Sequence, residues 1–424
     1  MVLDILRPVV FERALLREVA REWGVEDDLA RLHGADLALL GAGLAALAAI
    51  AFLAWRGRTA ALERLALLGL SVGLTLALFE GALRLLMRPL VYRPHLQLVL
   101  HPDPEVLPGT TSPSRFSTNG VGMRGPEWDA GARRILCVGG STTICLYLDD
   151  AKAWPARLMA LLNEGAPSPR YWVGNVGKSG HDTYHHLALL RRLPEASRVD
   201  AVIVLCGVND LAHAVRASHE ARRRMAASSV FDAGGPFNPT HAYFKQAFAY
   251  QALKRFVRSA DAIYEEDERG HAYARRRQRR RQATPDYPLP ALPEHLAAYT
   301  ANLEAMAALC RERGARVVFL TQPTLWQDPM PPELEALTWF RPIPGTTRTV
   351  SSPELARGMA AFNEAMLAFC RQRSLECLDL AAQVPKAARY FFDDEHLTEA
   401  GADRVAQAVA DYLRARPVAA AAAR

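Results

Sequence analysis

The chain has 424 residues, half of them apolar, enough for one large core with accessory segments around it. Its formal charge is +6, and the run Arg275-Arg276-Arg277-Gln278-Arg279-Arg280-Arg281 holds six arginines by itself. The remainder is therefore neutral, which excludes a basic nucleic-acid-binding domain as the reading of the high pI.

Residues 1–34 mix apolar and charged positions and read as an amphipathic helical segment. Leu37 to Trp55 follows as nineteen residues without a charge. Roughly 20 apolar residues cross a bilayer, so a transmembrane helix is expected here. It starts too late, is too long and lacks the small-residue site of a cleavable signal peptide. Leu65 to Phe79 is a second uncharged run, of fifteen residues. It reaches Leu86 only by including Glu80 and Arg84, which lie four apart and can pair on a helix face. The expectation is a two-helix membrane hairpin over residues 35–90, with an interfacial or core helix as the other reading of the second run. Arg56, Arg58 and Arg64 between the runs place that loop in the cytoplasm by the positive-inside rule, and both flanks outside. Arg17, Arg21, Arg31, Arg88 and Arg93 on the flanks weaken the asymmetry.

Residues 91–130 are rich in proline and glycine and read as a linker, a stalk or wrap leading into the following domain. From 131 to 415 strand and helix signals alternate. Apolar runs at Ile135–Val138, Tyr171–Val176, Ala201–Cys206, Val317–Thr321 and Glu376–Leu380 are predicted strands. Trp154–Asn163, Tyr184–Leu193, Leu303–Arg313, Leu355–Arg373 and Thr398–Arg414 are predicted helices. Continuous apolar strands between helices mean a parallel sheet covered on both faces. Residues 211–294 break the rhythm and read as an insertion, helical around His241–Val257. Its arginine run is expected on a solvated, mobile loop, with an anionic lipid or glycan contact as the alternative. Residues 416–424 form an alanine-rich tail. The six cysteines contain no zinc-type Cys-x-x-Cys pair and do not fix the compartment; Cys137 and Cys206 fall in apolar runs and read as buried.

Four short motifs carry the chemistry. Ser141 follows a strand and two glycines in Val-Gly-Gly-Ser-Thr-Thr; Gly180 lies in Gly-Lys-Ser-Gly-His-Asp-Thr; Asn209 lies in Gly-Val-Asn-Asp; Asp393 and His396 lie in Asp-Asp-Glu-His. In an open parallel sheet the crevice lies beyond the carboxyl ends of the strands, so Ser141, Gly180 and Asn209 should converge there. Asp393 and His396, on the loop before the last helix, can reach the same place. Ser141 would be the nucleophile, His396 its base and Asp393 the group that holds the base in its tautomer. The backbone N–H groups of Ser141 and Gly180 and the Asn209 amide would receive the oxyanion. Taken singly, each motif has a plainer reading: a phosphate turn at Ser141 (but with no P-loop lysine), a helix cap at Asn209-Asp210, helix-start residues at Asp393–His396. Their order and strand-end placement together favour the catalytic set. His181, His185 and His186 lack a matched carboxylate motif, so no metal is expected. Asp149 and Asp150 read as caps of the Trp154 helix.

Motifs of this kind, in this order, resemble the SGNH/GDSL hydrolase superfamily, over roughly Arg134 to Arg414. The resemblance implies a three-layer α/β/α flavodoxin-like fold, no cofactor, and nucleophile, glycine, asparagine and Asp-x-x-His blocks at Ser141, Gly180, Asn209 and Asp393/His396. The chain has Gly140-Ser141-Thr142 where the family name has Asp-Ser-Leu, a change similar to a bacterial membrane-anchored subgroup. Asn119-Gly120-Val121-Gly122-Met123-Arg124-Gly125 resembles that subgroup too. The expected function is a membrane-anchored serine esterase or acyltransferase acting on an acyl ester, such as O-acetyl, of an envelope glycan or lipid. A lipase or lysophospholipase is the alternative within enzymes, and a catalytically silent envelope-assembly or glycan-binding protein the alternative outside them. The catalytic domain is expected outside the cytoplasm, with no nucleic-acid partner; the sequence leaves the oligomeric state open.

Overall fold

The structure, a computed structural model, describes residues 56–57, 59–86, 91–92, 94–165, 171–216, 268–340 and 347–418. The chain divides into two compact units, Met1–Arg88 with Gly235–Val257, and Pro89–Gly234 with Arg258–Arg424. In the first unit the described element is helix α1 (Thr59–Leu86), rich in leucine and alanine and free of proline. It exposes Leu65, Leu67, Leu68, Leu70, Val72, Leu74, Leu78 and Phe79. Among the described residues no helix is long and apolar enough to cross a membrane. The other expected span, Leu37–Trp55, and the expected helix around His241–Val257 lie outside the described residues.

The second unit opens with an antiparallel pair, β1 (Gln97–Leu100) and β2 (Ser114–Ser117). It continues as β3 (Arg133–Gly139), α2 (Ser141–Ile144), α3 (Trp154–Asn163), β4 (Tyr171–Asn175), α4 (Thr183–Arg192), β5 (Ala201–Leu205) and α5 (Val208–Arg216). Further along the chain come α6 (His271–Gln282), α7 (Pro293–Glu312), β6 (Arg316–Leu320), α8 (Pro332–Glu335), α9 (Ser352–Arg373), β7 (Glu376–Leu378) and α10 (Glu399–Ala415). Strands β4-β3-β5-β6-β7, in that order, form one sheet in which every pairing is parallel.

Strand alternation sorts the apolar runs onto two faces. Leu136, Val138, Val202, Val204, Val317 and Phe319 pack on one side with Leu190 of α4, Leu303 of α7 and Phe362 of α9. Ile135, Cys137, Ile203, Leu205, Val318 and Leu320 pack on the other with Trp154 and Leu158 of α3 and Val405 and Val409 of α10. The result is a three-layer α/β/α arrangement. The first strand, β3, is flanked by β4 and β5, so the chain reverses its direction of winding there. Crevices open beyond the carboxyl ends of strands at such a switch point.

Of the two readings of residues 91–130, stalk or wrap, the packing is that of a wrap. Leu98 and Phe116 of the hairpin pack with Tyr92 and Ile144, and Leu100 packs with Leu107, Tyr147 and Phe392. Arg124 exchanges both backbone hydrogen bonds with Asn175 of β4, each at 3.0 Å. Asp149 and Asp150 do not cap α3, whose N-cap is Ala153 without a side-chain bond. They tie down the hairpin: Asp149 accepts from Arg115 N and Asp150 from Ser117 N, both at 3.0 Å. A disulfide joins Cys370, near the end of α9, to Cys377 on β7 with Cα atoms 6.1 Å apart; Cys137, Cys145, Cys206 and Cys310 are free and buried.

Candidate active site

Ser141 begins α2, directly after β3. The turn needs both glycines before it. A Cβ on Gly139 would sit 2.8 Å from the Leu205 carbonyl, and one on Gly140 would sit 2.6 Å from Asn209 Nδ2. The far end of α2 is held by Arg124, whose side chain is buried. Its guanidinium donates to the carbonyls of Ile144 (2.5 Å), Cys145 (2.7 Å) and Leu148 (2.5 Å) and to Asp150 Oδ1 (3.1 Å). These satisfy carbonyls that a helix end leaves without partners. Asn119-to-Gly125, which stands out in the sequence without an evident role, is thus the brace of the Ser141 turn.

Gly180 has φ +76°, a left-handed conformation that favours glycine. The asparagine block holds its loop from two points. Asn209 Nδ2 donates to His181 O at 2.9 Å, and Asp210 accepts from Thr183 Oγ1 at 2.7 Å and Thr183 N at 3.3 Å. One Asn209 N–H is spent on His181; an amide nitrogen carries a second. Asp182 caps α4 and accepts from the ring nitrogens of His185 at 2.7 Å and His213 at 3.0 Å. Burial is the main reason His181 is depressed to about 2 and His186 to about 4, so both are neutral at ordinary pH. Among the described residues no group of His, Cys, Asp and Glu could hold a metal ion.

His396 Nδ1 lies 2.7 Å from Asp393 Oδ2. The same oxygen accepts Trp339 Nε1 at 2.8 Å, while Oδ1 accepts the backbone N–H of Glu395 at 2.9 Å and of His396 at 2.7 Å. Burial by itself would raise the Asp393 pKa, but the His396 charge and these donors outweigh it and hold the carboxyl below its usual range. Burial would likewise lower His396, and the Asp393 carboxylate reverses this, raising the imidazole above its ordinary value. Because Asp393 is acceptor-only when ionised, Nδ1 carries the proton and Nε2 is the basic atom. Among the described residues that buried Nε2 has no hydrogen-bond partner; it lies 3.8 Å from Glu395 Oε1. The ring is stacked between Phe392, at 5.6 Å, and Trp339, at 6.1 Å, and Tyr273 meets it edge-on at 5.5 Å.

Ser141 and His396 line one cavity of about 30 Å³, with Thr142, Cys145, Tyr147, Ser179, Tyr273 and Phe392 among its other walls. Gly180 and Asn209 do not line it. Gly180 follows Ser179 on its rim, and Asn209 stands against Gly140. The arrangement offers a hydroxyl, a neutral imidazole oriented by a buried carboxylate, and amide donors beside the hydroxyl's turn, which are the parts acyl transfer needs.

A profile of the GDSL-like lipase/acylhydrolase family matches residues 137–404, from β3 into α10. The chain belongs to this family. It is a serine ester hydrolase. Among solved structures, the hydrolase is similar to a catalytic mutant of Axe2, an acetylxylan esterase from Geobacillus stearothermophilus, at 15% identity and TM-score 0.37, covering 69% of this chain and 99% of that one. It is also similar to a GDSL-like lipase from Bacteroides thetaiotaomicron, at 14% identity and TM-score 0.35, covering 67% and 88%. No curated protein sequence matches the chain significantly.

The hydrolase brings several groups to the site that no sequence motif marks. Trp339 donates to Asp393 from a segment with no strand or helix of its own. The arginine run is not a solvated loop. It lies on α6, and Arg277 and Arg280 are buried. Arg277 donates to the carbonyls of Phe392 (2.6 Å), Val106 (2.6 Å) and Leu337 (3.0 Å), so it fixes the backbone that leads into Asp393. Arg276 lies over the rings of Tyr273 and Trp339, at 5.1 and 4.8 Å. The signal that could have found them is spacing: Tyr273, Arg277 and Arg280 recur at four and three residues, one face of a helix.

Proposed function

We propose that the hydrolase cleaves O-acyl esters, acetyl above all, of an envelope glycan or lipid, or transfers the acyl group to an acceptor, through an acyl-serine intermediate. The observation that carries this reading is the shared cavity of Ser141 and His396, with Asp393 buried 2.7 Å behind the imidazole. His396 Nε2 removes the Ser141 proton as Oγ attacks the ester carbon. The oxyanion draws donors from the N–H groups of Ser141 and Gly180 and from the Asn209 amide. Collapse expels the alcohol, which takes the proton from His396, and leaves the acyl group on Ser141 Oγ. Water or an acceptor hydroxyl, deprotonated by the same Nε2, attacks in turn and frees the serine.

The same reading anchors the protein in a membrane through Leu37–Trp55, with the catalytic unit outside the cytoplasm. The exposed leucines of α1 support an apolar environment for that region, and an oxidising compartment suits the Cys370–Cys377 bond. The test of the chemistry is labelling with a serine-reactive fluorophosphonate and mapping of the adduct. Modification of Ser141, abolished in Ser141→Ala, is expected. An adduct elsewhere, or equal labelling of the variant, overturns the assignment.

A further inference from the structure

The insertion contributes one side chain directly to the cavity wall. Tyr273, on the first turn of α6, lines the cavity together with Ser141 and His396. Its ring meets four aromatic neighbours edge-on: His396 at 5.5 Å, Trp339 at 5.8 Å, Phe392 at 5.9 Å and Tyr147 at 5.9 Å. Such a ring is held on several sides and does not swing aside as a lone surface tyrosine would. The turn that carries it is fixed as well. His101 N donates to Glu268 O and Asp103 N to Arg269 O, both at 3.1 Å, and a Cβ on Gly270 would collide with Leu107. Arg277, one turn further along α6, anchors the helix to the carbonyl of Phe392.

The space this wall encloses is small. A volume of about 30 Å³ compares with the roughly 10–15 Å³ that one water needs. That is room for a small group, such as a methyl, beside the ester carbon. Tyr273 also packs against an apolar cluster of Leu100, Leu107, Tyr147 and Phe392; Tyr147 and Phe392 line the cavity with it, whereas Leu100 and Leu107 do not. Behind the cavity lining, Leu100 and Leu107 are the apolar material that a longer acyl chain could reach once the ring is removed.

We propose that Tyr273 is the end wall of the acyl subsite and restricts the hydrolase to acetyl-sized acyl groups. This rests on the reading of Ser141 as the nucleophile. It also gives the insertion a defined role, because a residue carried in from outside the sheet sets which acyl groups reach chemistry common to the family. In an apolar pocket one methylene more or less is worth roughly 10–200-fold in kcat/KM, so removing a whole ring should be plainly visible.

The test measures kcat/KM for p-nitrophenyl acetate, butyrate and octanoate on the full-length protein, with fluorophosphonate labelling of Ser141 as a control. The natural enzyme should prefer acetate to octanoate by about 100-fold or more, on the order expected for several excluded methylenes. Tyr273→Ala should raise the octanoate-to-acetate ratio at least tenfold, and Tyr273→Phe, which keeps the ring, should leave that ratio where it was. If Tyr273→Ala fails to fold, Tyr273→Leu is read in its place and should raise the butyrate-to-acetate ratio. An unchanged ratio with Ser141 still labelled overturns the role of Tyr273 and leaves the mechanism standing. A natural enzyme that is not labelled at Ser141 overturns the nucleophile assignment, and this inference falls with it.

Discussion

The His396–Asp393 pair sets the pH behaviour of the hydrolase. Each group is buried, which opposes its charged form, and each is nevertheless shifted toward that form by its partner. The depressed Asp393 contributes stability that is present above the ordinary carboxylate pKa and is lost as pH falls through the lowered value. The raised His396 contributes stability that is full below the ordinary imidazole pKa and is lost as pH rises through the raised one. The pair therefore contributes fully between the two ordinary values, and its contribution is lost progressively toward and beyond the two shifted ones. Catalysis needs the opposite state of His396: a protonated imidazole cannot take the Ser141 proton. The acid limb of kcat/KM should lie above the 6.5 of a free imidazole, with activity lost below it. Asp393→Asn removes the main cause that raises His396, so the limb should move to lower pH. The rate at its plateau should fall by about 10⁴, because the wrong tautomer is then favoured. A pH–rate profile of the two proteins checks both parts. A limb that does not move would show that Asp393 leaves the imidazole unaffected.

Helix α6 shows how far an element can be read from residues alone. A run with six arginines has the composition of a solvated segment, and no apolar stripe announces a buried face. What the sequence could not display is the set of carbonyl and hydroxyl acceptors waiting on other elements. Arg280 reaches Glu335, Thr338, Phe340 O, Thr349, Val350 O and Ser352. Arg275 and Arg279, on the same helix, are exposed. Arg280→Met should therefore lower the unfolding free energy by about 3 kcal/mol or more, since it strands several buried acceptors. Arg279→Ala should stay within about 0.5 kcal/mol of the natural protein. Urea unfolding distinguishes them, and equal effects would mean that α6 is not docked in this way. The sheet was easier to read, for a physical reason. Ala201–Leu205 is buried at every position, so its apolar run is the whole signal, and the helix Trp154–Asn163 opens on a proline and closes where its apolar face ends. Helix α7 begins at Pro293, ten residues before its predicted start at Leu303, and Leu296 and Tyr299 already carry its apolar face in those first turns. The site divides in the same way. Ser141, Gly180, Asn209, Asp393 and His396 sit in short motifs at strand ends and before the last helix. Trp339, Tyr273 and Arg124 act on the site from segments far away in sequence, and which of those segments fold back onto it is not written in their local spacing.

At the scale of the molecule, the membrane reading and the cysteines bear on one question, the compartment of the catalytic unit. The arginines at 56, 58 and 64 favour a cytoplasmic position for the loop after Leu37–Trp55, and with no crossing by α1 the charges by themselves argue against export. The charge asymmetry is shallow, since both flanks are basic too. The cysteines offer an independent measure. Of the six in the chain, Cys370 and Cys377 are bonded, and the other four are buried as thiols. Burial raises the pKa of Cys137, Cys206, Cys145 and Cys310, the last two to about 11, so these four are poor nucleophiles and survive oxidation as thiols. A bond between positions seven apart, joining the end of α9 to an edge strand, forms in an oxidising compartment and stays open in a reducing one. Protein trapped by alkylation at lysis and then denatured should therefore show four thiols by mass if the catalytic unit is exported, and six if it stays in the cytoplasm. An alkaline phosphatase fused after Arg424 should be active in the first case, and a cytoplasmic fluorescent reporter in the second. Four thiols with an active phosphatase is the expected pair. Six thiols with a silent phosphatase would place Ser141 in the cytoplasm and remove envelope glycans and lipids of the outer face from the substrates it can meet.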